Sequence, residues 1–303
     1  MVFVYTRGVI FAAFLCAMSV LDTIRNIFSA RRKCIITQSA LEGMSDGGAI
    51  GEALGLPVVG RTPADLRKFP VTEMLGYGDG ITPGGTVSAC TDSACNMARF
   101  IVDNEVQGLT PPRFLSLINS WYNYKAYDEE DAFKITLSGS VVAGCLFSAL
   151  PQYNVDNALK SIPDLVCDSV IAPASLFFGT AMYLGRGQKP FTAVKNAEEL
   201  QKKICSQIGL VVGKDGVEEA LRKLLEAFAY CAGDGFPAVV LGAVNSGVMP
   251  DLAGFLVGSL AGFISSGSNI PERWRSQLLR AREPREAAQR LYSVVQRLCN
   301  AKT

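Results

Sequence analysis

The residues of this chain that could do chemistry lie in two widely separated stretches. The first, Gly84-Gly85-Thr86-Val87-Ser88-Ala89-Cys90-Thr91-Asp92-Ser93, sets the hydroxyls of Thr91 and Ser93 on either side of the Asp92 carboxylate. The second, Ala243-Val244-Asn245-Ser246-Gly247-Val248-Met249-Pro250-Asp251-Leu252-Ala253-Gly254, carries one carboxylate, Asp251. There is no histidine, which excludes Ser-His-Asp and Cys-His catalysis and any histidine-ligated zinc or haem. Two glycine-rich segments fail as phosphate loops. Gly78-Asp79-Gly80-Ile81-Thr82-Pro83-Gly84-Gly85 lacks a clear strand before it, and Gly209-Leu210-Val211-Val212-Gly213-Lys214-Asp215 has neither the P-loop spacing nor a Ser or Thr after the lysine. The 9 cysteines include no C-x-x-C, and most sit in apolar runs such as Val141-Val142-Ala143-Gly144-Cys145. They read as free buried thiols of a reducing compartment rather than a disulfide framework.

The elements that must position these residues read as helices. In residues 216–230, Val217, Ala220, Leu221, Leu224, Leu225 and Phe228 recur at intervals of three and four, and Gly233 and Gly235 end the run. Residues 285–299 repeat the pattern through Ala288, Leu291, Val295 and Leu298, after Pro284 in the expected first turn. Gly254, Gly258 and Gly262 fall every fourth residue, on one helix face, and allow a neighbouring helix to come close. Membrane helices use the same spacing, but Asp251 and Ser259 favour a buried helix of a soluble domain. Sustained alternation joined by hairpin turns is scarce, so a sheet has little support. Thr91 or Ser93 is also a natural cap for a helix carrying Met97, Phe100 and Ile101.

At 303 residues, 49% hydrophobic and 19% charged, the chain is globular and can bury a substantial core; a net charge of +1 gives no case for nucleic acid. Residues 1–38 stand apart. They carry Arg7, Arg25, Arg31, Arg32 and Lys33 against Asp22 alone, around an apolar run from Val9 to Leu21 that is too short for a stable membrane span. This segment reads as a targeting sequence, a packed extension, or an upstream extension of the reading frame, with Met18 and Met44 as alternative starts. Residues 39–303 read as one mostly helical domain.

In order and spacing, the stretches resemble the two signatures of the ADP-ribosylglycohydrolase family, a Thr-Asp-Asp and a later Gly-Asp-x-Asp-Thr. The likeness begins at Gly48-Ala49-Ile50-Gly51-Glu52-Ala53-Leu54-Gly55-Leu56-Pro57, with Glu52 where the family has Asp, and covers roughly residues 45–280. It ends with Gly262 and Ile270-Pro271-Glu272-Arg273-Trp274, a match of structural role. The resemblance implies an all-α fold, a compact orthogonal multi-helix bundle. It also implies a pair of Mg²⁺ ions held against bound ADP-ribose, with Thr91, Asp92 and Asp251 as the remaining metal oxygens and Glu52, Asp92 and Asp251 as the catalytic carboxylates. Three ligand positions depart from the pattern: Ser93 keeps an oxygen without charge, while Met249 and Leu252 offer nothing that a hard cation binds. Ser138, Gly139 and Ser140 stand where the family has a loop that meets the diphosphate, and are equally an ordinary helix start. Asn245 and Gly247 are implied beside the substrate.

The expectation is therefore a family member whose di-magnesium site is eroded, a pseudoenzyme that keeps a binding or structural role. The alternatives are an active Mg²⁺-dependent hydrolase that removes ADP-ribose from modified proteins or small molecules, and a structural protein like the family's lens crystallins. The expected ligand is ADP-ribose or an ADP-ribosylated protein, with Mg²⁺ if the chain is active and no cofactor if it is not. The expected compartment is the cytoplasm, or a secretory or organellar one if residues 1–38 are cleaved.

Overall fold

The computed structural model describes residues 36–103, 129–149, 168–207, 209–213 and 216–300, and these form helices and no strand. In chain order the helices are α1 (Gln38–Gly55), α2 (Pro63–Lys68), α3 (Ala89–Asp103), α4 (Glu129–Ser148), α5 (Asp168–Gly185), α6 (Pro190–Gln207), α7 (Gly216–Cys231), α8 (Phe236–Asn245), α9 (Pro250–Ile264), α10 (Glu272–Gln277) and α11 (Arg282–Asn300). The two periodic stretches became α7, which buries Leu221, Leu224, Leu225 and Phe228, and α11, which buries Ala288, Leu291 and Val295. Apart from Ile36, Thr37 and Gln38, the N-terminal segment 1–38 lies outside the described residues. Thr37 caps α1 by accepting a hydrogen bond from the Ala40 amide at 3.1 Å.

Glycine sets the distance between the two central helices. Gly43, Gly47 and Gly51 share a face of α1 and meet Gly262, Gly258 and Gly254 of α9 in reverse order, so the helices run antiparallel with backbone against backbone. A Cβ on Gly51 would overlap the Gly254 carbonyl, and one on Gly47 would overlap that of Gly258. The next turn brings Gly55 against Pro250 and the Asp251 amide. α9 is buried from Pro250 to Phe263, as befits a helix apolar on every side. No helix among the described residues is long and apolar enough to cross a membrane. The four-residue glycine spacing serves close approach inside this bundle.

The other helices wrap this pair. α11 packs on α1 and α3, α3 on α4, α4 on α5, α5 on α6, and α8 on α9. Asp46 of α1, only 4% exposed, ties the C-terminal segment down: its Oδ2 accepts from Arg275 at 3.2 Å and from Arg285 at 2.8 Å. Trp274 is fully buried and donates its indole N–H to Glu73 at 2.8 Å. The Ile270–Trp274 run thus makes the structural contacts expected of it. Cys90, Cys95, Cys145, Cys205 and Cys231 are free thiols, all but Cys231 buried.

Candidate functional site

Glu52 is fully buried on α1, one turn before the point where Gly55 touches the start of α9. Its Oε1 accepts from the Ser88 hydroxyl at 2.9 Å and the Cys90 amide at 3.0 Å, and its Oε2 accepts from the Thr91 amide at 2.9 Å. These amides belong to the first turn of α3, whose N–H groups have no partners within the helix. Glu52 is therefore a long-range cap for α3. The cap that the sequence suggested at Thr91 or Ser93 is corrected: the helix begins at Ala89, the Thr91 hydroxyl has no partner, and the Ser93 hydroxyl donates across to the Ile135 carbonyl at 3.1 Å. Burial raises the Glu52 carboxyl above its ordinary value, while the Ser88, Cys90 and Thr91 donors pull the other way.

Asp251 lies in the first turn of α9, where the helix dipole favours an anion, and is 2% exposed. Its Oδ2 pairs with the Lys134 ammonium at 2.8 Å, whereas its Oδ1 is buried without a partner. Lys134 reaches in from α4 and also meets Glu130, one turn earlier, at 2.8 Å. Burial disfavours its ammonium, but the two carboxylates outweigh that and hold Lys134 above the usual lysine range. Cys90 sits within this charge cluster. Burial first, then the nearby Glu52 and Asp251 carboxylates, push its thiol well up, so it stays protonated. Just before α9, Met249 is held at φ 40° and ψ 68°, a left-handed conformation that non-glycine residues seldom adopt, and it makes no side-chain cap. Leu252 is fully buried.

The remaining residues named from sequence go elsewhere. The Asp92 side chain is 44% exposed and pairs with Arg280 at 2.8 Å; Arg280 also grips Glu283. Successive helical side chains diverge by about 100°, so Asp92 faces outward while Thr91 faces in. Ser138, Gly139 and Ser140 lie in the middle of α4, a correction to the loop or helix start expected there. Their hydroxyls are absorbed by the helix, Ser138 donating to the Lys134 carbonyl and Ser140 to the Leu137 carbonyl, each at 2.7 Å. Asn245 exchanges two hydrogen bonds with the Val71 backbone, at 2.8 and 2.9 Å. Gly247, at φ +74°, lies where a Cβ would collide with Pro63. Trp121, Tyr122 and Tyr124 lie outside the described residues. Sequence reasoning missed Ser88, Lys134 and Arg280. Lys134 follows Glu130 by four residues, which reads as an ordinary exposed helix pair, and nothing in the sequence aims it at Asp251.

The structure thus gathers Glu52, Thr91, Cys90, Lys134 and Asp251 where α1, α3, α4 and α9 converge, and leaves Asp92 on the surface. Comparison with known proteins agrees with this arrangement of helices. A solved structure described as an "ADP-ribosylglycohydrolase-related protein complex" superposes with a TM-score of 0.55 at 20% identity, covering 85% of this chain and 98% of that one. At that identity it speaks for the fold alone. No curated protein matches. The ADP-ribosylglycohydrolase family profile matches residues 134–301, which spans Lys134 at the mouth of the cluster, all of α5 to α11, and Asp251. More than half of the sequence carries the family's pattern on the family's bundle, and the chain belongs to the ADP-ribosylglycohydrolase family.

Proposed function

We propose that this protein is a family member that no longer hydrolyses ADP-ribosyl bonds and keeps the bundle for a binding or structural role, with ADP-ribose or an ADP-ribosylated protein as the ligand to test. One observation carries the reading: Asp92 and Asp251 are each held by a cation of the chain itself, Arg280 and Lys134, both at 2.8 Å. Mg²⁺ takes near-octahedral oxygen ligation through carboxylates and waters. Here both Glu52 oxygens accept from α3, Asp92 faces Arg280, and Met249 and Leu252 contribute no oxygen. On that count the residues present do not fit a pair of Mg²⁺ ions. The left-handed backbone at Met249 adds support. Asn, Asp and Gly tolerate that conformation, and Met gains nothing from it.

The second reading, a hydrolase working through one Mg²⁺ with Asp92, Asp251 and Glu52, has the unpartnered Asp251 Oδ1 and Thr91 hydroxyl in its favour. Release of ADP-ribose from an ADP-ribosylated protein, followed with and without Mg²⁺, separates the two. The expected outcome is no turnover in either condition. Mg²⁺-dependent turnover that disappears in Asp92→Ala would establish the second reading instead. Thermal unfolding with ADP-ribose then reports binding, since a ligand at about 100 times its dissociation constant adds about 2.7 kcal/mol to stability. A shift indifferent to Mg²⁺ marks a binding protein; no shift marks a structural one. Restoring hydrolysis should require at least Ser93→Asp, Met249→Asp and Leu252→Thr together.

A further inference from the structure

We infer that the Lys134 ammonium is a built-in cation standing in for a divalent ion at Asp251, and that removing it turns this cluster into a divalent-cation site. The inference rests on the reading of the cluster as a former metal centre, and goes further by assigning what replaced the metal. A carboxylate that is 3% exposed cannot remain charged without a counter-charge at contact distance. Lysine supplies one as a compact point charge on a flexible stem, and at 2.8 Å it meets Asp251 as closely as it meets Glu130. The group is then two carboxylates around one ammonium. Without the ammonium it is two carboxylates alone, the charge that one divalent ion balances, with water completing the shell as it usually does for Mg²⁺.

The second oxygen of Asp251 marks the place: Oδ1 is buried and unpartnered. An ammonium satisfies one side of the Asp251 carboxylate and leaves the other empty, which a multi-coordinate ion need not do. Neighbouring groups do not compete for the new role. The Glu52 oxygens are occupied by Ser88 and the first turn of α3.

The test compares wild type, Lys134→Met and the double variant Lys134→Met/Asp251→Asn, using Mn²⁺ as the probe, with thermal unfolding and the loss of the free-Mn²⁺ magnetic resonance signal as readouts. Wild type should unfold at the same temperature in EDTA and in Mn²⁺ and take up no ion. Lys134→Met should unfold at a lower temperature in EDTA, recover in Mn²⁺ and bind one Mn²⁺ per chain. The double variant should recover without metal and bind none. Stoichiometric Mn²⁺ uptake by wild type, or a folded Lys134→Met that takes up none, would overturn the inference. If Lys134→Met fails to fold without metal, folding of the double variant together with rescue of the single variant by Mn²⁺ supports it, and failure of both contradicts it. Uptake by wild type without turnover would leave the non-hydrolytic reading intact. Metal-free turnover by wild type would sink that reading and leave the assignment of Lys134 standing.

Discussion

Glu52 does at the scale of one residue what the sequence suggested for its neighbours. Its carboxylate takes three donors from Ser88, Cys90 and Thr91, so an amide in its place would turn a donor against them. Glu52→Gln should cost about 1–3 kcal/mol in urea unfolding. The pH dependence has a definite sign. Burial raises the folded carboxyl above 4.5, so above that pH the folded state holds more proton than the unfolded one, and stability falls as pH rises through the raised value. Wild type's margin over Glu52→Gln should therefore shrink as pH rises from 4.5; a margin that widens would mean the donors outweigh burial. Residue types pointed to Asp92 and Asp251, and the family resemblance to Glu52, as the groups worth following. Their partners were not legible, because a side chain such as Lys134 announces its helix spacing and not the helix it will face. Ser138 and Ser140 misled for a related reason. Serine is common at helix starts, but a hydroxyl that donates to a carbonyl three or four residues back is also accommodated in mid-helix.

At the scale of the element, period and punctuation carried most of what could be read. α7 and α11 announced themselves by spacing, and the glycines of α9 by their interval. The sequence did not say which helix would meet those glycines, since Gly43, Gly47 and Gly51 lie about two hundred positions away. The contact makes opposite predictions for two glycines. Gly51→Ala places a methyl group in the Gly254 carbonyl, which backbone cannot avoid by changing rotamer, and should cost about 3 kcal/mol or more. Gly242→Ala, in the interior of α8 with open space where the Cβ would go, should gain up to about 1 kcal/mol from helix propensity. Chemical denaturation of the two variants side by side tests the packing; similar effects would mean that the α1–α9 contact is looser than described.

For the whole molecule, the decisive connections join the first described helix to the last. Asp46 holds Arg275 and Arg285, and the Arg275 guanidinium also donates to the Gly267 carbonyl at 2.5 Å. Asp46→Ala should lower stability by about 2–3 kcal/mol, a figure moderated by the partial exposure of Arg285, and should loosen α10 and α11 first, as amide hydrogen exchange in those helices would report. The antiparallel contact of α1 with α9 has a consequence for how the chain is made. Synthesis delivers α1 early, yet the surface that fits its glycine face does not emerge until residue 264 has left the ribosome. Until then a groove of bare backbone and apolar side chains waits without its partner, while α3 to α8 assemble around a missing axis. Such a fold closes late, and in a translation assay the nascent chain should bind chaperones until α9 has emerged and lose them once it has.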